Sequence, residues 1–584
     1  MLKKPYSTDL LMIVLGALVL RLAELPWAQV VQADAVSRIH IALEWKRSPH
    51  WITHGYWGPL HHYLNALFMA LFPGKALGPT VLNILAASLT AIPLYGFTLK
   101  LFQSRQGAVF AALLYVLSPI VLWTSLQPLS EVPYGFFLAW SLYFLADRGS
   151  GRESYRASLV AGLFMTCAAA LRYEAWVIIA AFSWVALLLR GWRHALVFGV
   201  CASLFPLVWM VGNQLEFGDA LHSVNQNDEW NMGKEGINDD VSEATRIQRA
   251  IFFPWSFWLN ASVICSALLL FGLLTAATRK RLSRAQLVWL IPFAVMALIF
   301  QKKAWAGSLM LHHRFLVTWL ILLLPFVALV FTVLRGRMLH RVIMPLGVLI
   351  TIPAVLVFGK VDFIKLMGER DSARALDGLV LGHYREMQMV PRLHGSDTDE
   401  LLSQVHMRAN PGDGLILDFH SWDQSYYIML HSPTNTMVVG GAKHEGFKAD
   451  EARLLLAGHP QGLIVFSRTG MLRDLAELRG PVMRLKGLHV PLAVEGPIML
   501  RGARLFSYRV VAPDDSLVAA ADSLPPSMIV PATKDLEYYD HLIRSDEAWF
   551  ASVRRQAFWK GESIDAALRR NAEWMMEQDR PQAK

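Results

Sequence analysis

The sequence predicts a polytopic α-helical membrane protein of about eleven transmembrane helices, followed by an α/β domain outside the membrane. Hydrophobic residues make up 54% of the 584 residues and charged residues only 17%, against roughly 25% in soluble domains. Long apolar runs fill residues 1–360 and stop there. A chain of this composition cannot bury its apolar surface in one soluble core, so its first part is predicted to cross a bilayer repeatedly.

Individual spans are predicted from apolar runs of about 20 residues. They cover residues 9–26, 78–101, 107–124, 131–147, 156–172, 174–190, 194–212, 257–278, 286–301, 315–334 and 341–359. The run 59–72 is too short to span and ends at Pro73-Gly74, so it is interpreted as a juxtamembrane or re-entrant helix. A cleaved signal peptide is the alternative for the N-terminus, although the first run is long for one and no small-residue cleavage site follows it directly.

Basic residues predict the orientation. With the N-terminus in the cytoplasm, every inside loop carries Lys or Arg, as the positive-inside rule requires. These residues are Lys3, Lys4, Lys100, Arg105, Arg148, Arg152, Arg156, Arg190, Arg193, Arg279, Lys280, Arg281, Arg284, Arg335, Arg337 and Arg341. An odd number of spans then places everything after Lys360 outside. We therefore expect a multi-pass protein of a plasma membrane, the inner membrane of a bacterium, with a periplasmic C-terminal domain.

Residues 361–584 are predicted to form that second domain, because charge rises and short strand-like runs alternate with helical patterns. The strand-like runs are 414–419, 436–441, 462–467 and 504–511. The helical patterns are 450–457 and 469–479, and the stretch 540–578 is predicted to form two amphipathic helices. The three cysteines fall in or beside apolar segments and predict neither disulfides nor a zinc site. The net charge of +9 lies largely in short loops, so no nucleic-acid partner is predicted.

Asp34 is the first candidate for chemistry. It lies just beyond the outer end of the first span, and an aromatic run from Tyr56 to Leu64 follows it. One interpretation is a solvated loop carboxylate. The other is a general base that accepts the proton of an acceptor hydroxyl, since partial burial at the interface can raise the pKa of a carboxylate enough for that work.

Further landmarks follow Asp34 in a fixed order on the outer side. They are Tyr56-Trp57-Gly58-Pro59-Leu60-His61-His62-Tyr63-Leu64, Ser130-Glu131-Val132-Pro133, Leu171-Arg172-Tyr173-Glu174-Ala175-Trp176 and His313-Arg314-Phe315-Leu316. In this order they resemble the C-type-fold (GT-C) membrane glycosyltransferases, in particular the protein O-mannosyltransferase and aminoarabinose-transferase-like (family 39-like) superfamily. The resemblance covers about residues 1–360. It departs at Asp34, where many relatives have two adjacent acidic residues and this chain has Ala33 and Ala35 as neighbours.

The resemblance implies Asp34 as the catalytic carboxylate. Glu131, at the outer start of the fourth span, is the candidate for the second acidic role and would orient the acceptor or a bound ion. A carboxylate at the edge of the hydrocarbon is costly and usually has a reason. The alternative is an acidic residue favoured at a helix N-terminus by the macrodipole.

Basic residues on the outer side break the positive-inside pattern, and they predict a site for the phosphate of the donor lipid. They are Arg314, Lys302, Lys303, Arg172 and Arg21. Such cations would stabilise the charge that develops on a departing phosphate. The alternatives are interfacial snorkelling and local pairing, such as Arg172 with Glu174.

The substrate cavity is predicted to be lined by Trp57, His61, His62, Tyr63, Glu174 and His313. Adjacent histidines on a helix point in different directions, which favours hydrogen bonding or packing over metal binding. The outer loop 213–256 is long enough to cover the site as a lid, and a solvated loop is the equal alternative.

Together these features predict an inverting glycosyltransferase that moves one sugar from a polyprenyl-phosphate-linked donor to an extracytoplasmic glycan, lipid or protein. No cofactor is predicted as required, and a divalent metal stays open. One alternative is oligosaccharyltransferase-like glycan transfer, which predicts a metal and a Trp-Trp-Asp motif, whereas the chain has Trp422-Asp423 in what is interpreted as a turn after a strand. The other alternative is a lipid or solute transporter, which would place its charges at mid-membrane depth.

Overall fold

The computed structural model has two compact units, Met1–Arg392 and Leu393–Lys584. The predicted domain boundary at residue 360 lies within 350–396, outside the described part of the chain. The structure describes residues 5–30, 32–147, 152–235, 243–334, 336 and 338–349 of the first unit. In the second unit it describes residues 397–410, 413–418, 422–432, 435–439, 462–467, 472–485, 491–500, 505–511, 515–521, 523–527, 539–540, 543–544, 549–550, 553–554 and 563–578.

Helices build the described part of the first unit. They are α1 (Pro5–Glu24), α2 (Ala33–Arg47), α3 (Leu60–Leu71), α4 (Leu77–Leu89), α5 (Ala91–Phe102), α6 (Arg105–Val116), α7 (Pro119–Ser125), α8 (Glu131–Leu145), α9 (Arg152–Ala169), α10 (Glu174–Arg190), α11 (Trp192–Ala202), α12 (Leu204–Phe217), α13 (His222–Glu235), α14 (Glu243–Asn260), α15 (Val263–Thr278), α16 (Arg284–Trp289), α17 (Ile291–Ala306), α18 (Leu316–Leu323), α19 (Ala328–Val333) and α20 (Met344–Leu349). Short 3-10 turns occur at Leu25–Trp27, His313–Phe315 and Leu324–Val327, and a π-helical turn at Leu339–Ile343.

The membrane-crossing part is confirmed as helical, and the count of about eleven spans stays approximate. Within the described residues, four helical stretches are long and apolar enough to cross a membrane, or up to seven if each bent pair is one span. The four are Thr8–Trp27, Leu77–Phe102, Arg284–Ala306 and His313–Val333. Other predicted spans form shorter helices, such as α8 and α10, and the predicted span 341–359 ends outside the described residues.

Three predicted spans are broken, and the break in 257–278 lies near its start, where α14 ends and α15 follows with a bend of 102°. The run 107–124 forms α6 and α7 with a bend of 54°, and the run 194–212 forms α11 and α12 with a bend of 45°. Pro119 opens α7, and its ring disfavours helical backbone at Ser118, whose ψ is 126°. The bend matters for the site because α7 leads into the segment that carries Glu131.

The outer segment after the first span contains a helix that the sequence analysis did not place. Gln32 caps α2, because its side chain accepts a hydrogen bond from the Asp34 backbone N–H at 2.6 Å. Ala35, Val36 and Ile39 bury one face of α2. The predicted short helix at 59–72 is confirmed as α3.

Gly58, just before α3, lies against the backbone of the turn between α9 and α10. A Cβ atom at this position would lie 2.2 Å from the carbonyl oxygen of Ala170, and the Leu60 N–H donates to the same oxygen at 3.3 Å. No side chain fits there, so glycine holds the start of α3 against the turn that carries Arg172.

Seven strands form one mixed sheet in the described part of the second unit, in the order β2-β1-β3-β7-β6-β5-β4. They are β1 (Gly414–Asp418), β2 (Asn435–Val439), β3 (Gly462–Ser467), β4 (Ala476–Arg479), β5 (Val482–Leu485), β6 (Leu492–Leu500) and β7 (Leu505–Val511). β1 pairs in parallel with β2 and β3, and the other pairs are antiparallel. Ile416 and Ile464 pack on one face and Leu415 and Leu463 on the other, so both faces are covered and the α/β class is confirmed.

The four predicted strands are confirmed as β1, β2, β3 and β7, whereas β4 to β6 were missed. The predicted helix 469–479 is wrong, because Leu472–Leu475 forms a 3-10 turn and Ala476–Arg479 pairs with β5 in a hairpin closed at Gly480. The described helices are α21 (Asp397–Arg408), α22 (Trp422–His431), α23 (Asp515–Ala521) and α24 (Ile564–Gln578).

Three further predictions concern helices and turns of the second unit. Trp422 begins α22, so the predicted turn there is wrong and Trp422-Asp423 lies in the first turn of a helix. α24 accounts for one of the two amphipathic helices predicted in 540–578. The predicted helix 450–457 falls outside the described residues.

Candidate active site

Five charged side chains form a chain of ion pairs in the first unit. Arg314 binds the Asp34 carboxylate through Nη2, and its Nε lies 3.2 Å from Oε1 of Glu131. The same Glu131 oxygen lies 2.7 Å from Nη1 of Arg172. Arg172 also binds Glu174, with 2.7 Å between Nη2 and Oε1. Each guanidinium of the chain therefore lies between two carboxylates.

Separate parts of the fold supply these side chains. Asp34 lies in the first turn of α2, and Glu131 is the first residue of α8. Arg314 lies in the 3-10 turn before α18, while Arg172 precedes α10 and Glu174 begins it. The helix macrodipole favours acidic residues at helix starts. Glu131 is therefore both a favoured N-terminal residue of α8 and a member of the ion-pair chain, so the two interpretations from the sequence are compatible.

The structure thus brings together residues that the sequence placed up to 280 positions apart. All five were singled out from the sequence as site residues. Their side chains are largely removed from solvent, with Glu131 at 3% and Arg314 at 5% side-chain exposure. Asp34 differs, because 32% of its side chain stays accessible. Asp34 is therefore the most accessible member of the chain of ion pairs.

Arg38 is the site residue that the sequence analysis missed. It lies one helical turn after Asp34 on α2 and is buried, with its guanidinium 4.4 Å from the ring centroid of Trp57. Within the described part of the chain, its Nε and Nη1 have no hydrogen-bond partner. Burial lowers the pKa of Arg38 to about 10, against the opposing effect of the Glu131 and Asp34 carboxylates, so it stays charged at neutral pH. The signal that could have found it is its i, i+4 spacing from Asp34.

The pKa of Asp34 lies below its usual range. Burial raises the pKa of this carboxyl, but the guanidinium groups of Arg314 and Arg38, with His312, lower it by more. The expectation that partial burial raises the pKa of Asp34 is therefore wrong in direction. Its physical reason is the proximity of two cations, which outweighs the loss of solvation.

The other predicted phosphate-binding cations have different surroundings. Burial lowers the pKa of Arg172, but Glu131 and Glu174 raise it above its usual value, because both carboxylates occupy its N–H groups. Lys303 binds Asp228 of α13 at 2.6 Å, and Lys302 is exposed on α17. Among the arginines and lysines of the site, Arg314 and Arg38 are the two whose charge acts on the Asp34 carboxylate.

Arg21 is placed by the structure inside the first span, and its contacts do not fit a phosphate ligand. Its Nε donates to Ser125 Oγ at 3.0 Å, and Nη2 donates to the carbonyl oxygen of Val116 at 2.9 Å. Nη1 donates to the carbonyl oxygen of Ala17 at 3.1 Å. Arg21 therefore joins α1 to the broken span formed by α6 and α7, and its predicted role in donor binding is corrected to a structural one.

Replacing Arg21 by methionine should test this correction. We expect Arg21→Met to lower the free energy of unfolding by about 2 kcal/mol, because buried acceptors lose their donor. The KM for the donor should stay within about twofold of the wild-type value, since no lost contact faces the cluster. Thermal unfolding in detergent and donor titration measure the two effects. A donor KM raised tenfold would restore Arg21 to the phosphate site.

The residues predicted to line the cavity fall into two groups. Trp57, His61 and His62 lie near Arg38, whereas Tyr63 packs on Trp45 at 4.9 Å and accepts a hydrogen bond from the Ile52 N–H. Burial, with the nearby Arg38 guanidinium, lowers the pKa of His61 well below its usual value and that of His62 to about 3. Both imidazoles are thus neutral at physiological pH and serve as hydrogen-bonding groups.

The outer segment 213–256 contains α13 and α14 in its described part. Ser223 of α13 accepts hydrogen bonds from Trp209 Nε1 at 3.1 Å and Asn213 Nδ2 at 2.8 Å, and it donates to the carbonyl oxygen of Gly55. A Cβ atom at Gly212 would lie 2.0 Å from the Thr53 carbonyl oxygen. The start of this segment is therefore fixed to the aromatic loop that carries Trp57, and closure as a lid stays a prediction.

α14 supports the loop that leads to Arg314. The buried Arg249 donates through Nε to the Ala304 carbonyl oxygen at 2.8 Å and through Nη2 to that of Leu309 at 2.9 Å. Phe252 packs against the buried ring of His313, with 4.9 Å between centroids. His313 was predicted to line the cavity. Its ring packs on α14 instead, and this contact holds the 3-10 turn that carries Arg314.

The carboxylates of the cluster do not fit a divalent metal. Asp34, Glu131 and Glu174 each bind an arginine, and a cation would have to displace a guanidinium from its ion pairs. Among the described residues, no group of three or more His, Cys, Asp or Glu side chains lies close enough to hold a metal ion.

Comparison with known proteins identifies the class of fold. The solved structure of ArnT from Cupriavidus metallidurans bound to undecaprenyl phosphate matches with a TM-score of 0.54 at 14% identity, over 86% of this chain and 99% of that chain. This likeness shows the fold. The protein has the C-type (GT-C) fold of membrane glycosyltransferases, which confirms the fold that the resemblance implies.

The family described as dolichyl-phosphate-mannose-protein mannosyltransferase matches residues 54–211, which include Trp57, Glu131 and Arg172 but not Asp34 or Arg314. No curated protein has a matching sequence. The Archaeoglobus fulgidus oligosaccharyltransferase complex with Zn and sulfate matches at 15% identity and a TM-score of 0.43, over 73% of this chain, and the chain spans 62% of its length. The S. cerevisiae Pmt1-Pmt2 O-mannosyltransferase complex bound to the sugar donor matches at 17% identity and a TM-score of 0.31, over 37% of this chain and 34% of that chain.

Proposed function

We propose that the protein is an integral-membrane glycosyltransferase that moves a single sugar from a polyprenyl-phosphate-linked donor to an extracytoplasmic acceptor, with inversion. The observation that carries the proposal is a partly open carboxylate, Asp34, beside the buried guanidinium groups of Arg38 and Arg314. Such a transfer needs a base for the acceptor hydroxyl and cations for the departing phosphate.

Asp34 is assigned as the general base because it is the accessible carboxylate of the cluster. It accepts the proton of the acceptor hydroxyl while the hydroxyl oxygen attacks the anomeric carbon of the donor sugar. The bond from that carbon to the phosphate oxygen breaks, and its electron pair leaves with the phosphate. One displacement with no covalent intermediate inverts the anomeric centre.

Arg38 and Arg314 are assigned to the phosphate. Two N–H-bearing atoms of Arg38 lack a hydrogen-bond partner within the described residues, and a buried guanidinium in that state favours an anionic ligand. Arg314 also lies between two carboxylates, but one of them is the accessible Asp34. The partners of Arg172 are the less accessible Glu131 and Glu174, so we assign Arg172 to positioning Glu131. Glu131 in turn orients both Arg172 and Arg314 through one oxygen.

The charge of the cluster favours a donor with one phosphate. Its three guanidinium groups (Arg38, Arg172, Arg314) and three carboxylates (Asp34, Glu131, Glu174) give a formal charge of 3 − 3 = 0. A monophosphate diester brings this neutral, buried cluster to a net charge of −1, whereas a diphosphate diester brings it to −2, so burial of the monophosphate carries the smaller electrostatic cost. The ArnT structure bound to undecaprenyl phosphate supports the same class of lipid.

The alternatives receive less support. Oligosaccharyltransferase-like transfer predicts carboxylates that are free to bind a metal, and here each carboxylate binds an arginine. Transport predicts charged residues along a path at mid-membrane depth, and Asp34, Glu131 and Glu174 all lie at helix starts. We place the protein in a plasma membrane, with its N-terminus in the cytoplasm and its second unit outside.

Transfer by the purified protein tests the proposed function. The protein is reconstituted in nanodiscs with labelled polyprenyl-phosphate-hexose or polyprenyl-phosphate-pentose and an envelope extract as acceptor, and lipid that co-purifies with it is identified by mass spectrometry. We expect transfer of one sugar from a monophosphate donor and a product of opposite anomeric configuration. Transfer from a polyprenyl-diphosphate glycan, with none from the monophosphate donors, would establish the oligosaccharyltransferase alternative instead.

Arg38→Gln should weaken use of the donor more than use of the acceptor. We expect the donor KM to rise at least about tenfold, because a charge-assisted contact to phosphate is lost, while the acceptor KM changes by less than about threefold. Lys302→Gln is the matched control, since this exposed lysine was predicted as a phosphate ligand and lies outside the ion-pair chain. Equal effects of Arg38→Gln on donor and acceptor would contradict the assignment.

A further inference from the structure

We propose that Gln127 is a positioning residue that fixes Asp34 relative to Glu131. The side chain is fully buried between the segment that ends α7 and the loop before α2. Its Nε2 donates to the Gln29 carbonyl oxygen at 2.7 Å, and its Oε1 accepts the N–H of Gln32 at 3.0 Å. Gln127 therefore links the loop of one carboxylate to the segment of the other.

Both ends of this link are held in place. On one side, Gln32 caps α2 by accepting the Asp34 N–H, so the position of Gln32 sets the first turn that carries the base. On the other side, the buried Asn83 of α4 donates through Nδ2 to the carbonyl oxygens of Leu129 at 2.9 Å and Thr124 at 3.3 Å. It also contacts the Gln127 carbonyl oxygen. The segment before Glu131 is thereby fixed to the bundle.

Glutamine suits this position because it supplies a donor and an acceptor at one end. The Gln29 carbonyl needs the donor and the Gln32 N–H needs the acceptor. The bonds of the Gln127 side chain to Gln29 and Gln32 run to backbone atoms, so its proposed effect on Asp34 passes through Gln32 and the backbone. A displacement of about 1 Å at a catalytic group can cost about a hundredfold in rate.

Two variants test the link. Gln127→Leu removes both bonds and should lower kcat about 10- to 100-fold, with the KM of donor and acceptor within about threefold of the wild-type values. Gln127→Glu keeps both bonds when its carboxyl is protonated and loses the donor when it ionises. Its activity relative to the wild type should therefore rise as the pH falls, while the relative activity of Gln127→Leu stays flat.

Thr98→Val is the matched control for loss of a buried hydrogen bond, since Thr98 Oγ1 donates to the Leu94 carbonyl oxygen at 2.7 Å within α5. It should lower the Tm without lowering kcat. The proposal is overturned if Gln127→Leu keeps kcat within about twofold of the wild type, or if Thr98→Val lowers kcat to the same extent at the same loss of Tm.

The kinetic readout rests on the transferase function proposed above, so a second readout is needed. In Gln127→Leu, hydrogen–deuterium exchange should rise in peptides covering residues 28–38 and stay unchanged in peptides of α9 and α10. Unchanged exchange in 28–38 overturns the link. A wild-type protein that transfers no sugar from any polyprenyl-phosphate donor would refute the proposed function, and the exchange result would still decide the role of Gln127.

Discussion

Asp34→Asn is expected to lower kcat by about two to four orders of magnitude, the usual contribution of a general base. Asparagine keeps the size of the side chain and the backbone N–H that Gln32 caps, so the first turn of α2 should persist. What is lost is the carboxylate oxygen that accepts the proton of the acceptor. The measurement is single-turnover transfer with a labelled donor, together with the donor KM and the Tm.

The matched control is Asp219→Asn on the outer segment. Asp219 accepts hydrogen bonds from the Leu221 N–H and from Asn225 Nδ2, both at 2.9 Å, so its contacts are local to that segment. We expect wild-type transfer from this variant. Transfer by Asp34→Asn near the wild-type rate would show that Asp34 is not the base.

Arg314→Gln is expected to have the second large effect. It should lower kcat/KM for the donor and shift the pH dependence of kcat/KM. Loss of the guanidinium should lower kcat/KM for the donor about a hundredfold or more, since it stabilises charge on the departing phosphate. It also removes the largest influence that lowers the pKa of Asp34. The base must be ionised, so kcat/KM rises with pH through this pKa. In the wild type that acid limb should lie below the usual range of an aspartate, because the pKa of Asp34 is lowered, and in the variant it should move to higher pH.

Arg314 is buried between two carboxylates, and its removal leaves uncompensated charge that can cost about 3–5 kcal/mol of stability. Arg314→Lys is therefore the second variant, because it keeps the charge and loses the planar fork. We expect Arg314→Lys to fold, to weaken donor use, and to keep the acid limb near its wild-type position. An acid limb that stays in place in folded Arg314→Gln would contradict the influence of Arg314 on Asp34.

The ion-pair chain was accessible from the sequence because its members sit at recognisable places. Asp34, Glu131 and Arg314 each lie at the outer end of an apolar run or just beyond it, where a charge is unusual. Orientation from the basic loops placed them on one side of the membrane, and their grouping followed. The local pair of Arg172 with Glu174 was one of the alternatives that the sequence offered, and the structure contains it. The pairs of Arg314 with Asp34 and Glu131 could not be predicted, because they depend on how α2, α8 and α18 pack.

Arg38 and Gln127 were missed for a related reason. α2 lacks a long apolar run, so nothing marked Arg38 as buried, and Gln127 lies in an irregular segment between two helices. Arg21 was misassigned because burial in a span gives no sign of its partners, which come from α6 and α7 more than 90 positions away. Local pattern predicted the elements, whereas the partners of buried polar groups depend on tertiary packing.

A structure of the protein with a non-transferable polyprenyl-phosphonate-sugar tests the central claim most directly. We expect the phosphonate to lie against Arg38 and Arg314, with Asp34 on the opposite side of the anomeric carbon. There its carboxylate would reach an acceptor hydroxyl at about 3 Å. A phosphonate bound away from both arginines, or a sugar with Asp34 on the same side as the phosphonate, would contradict it.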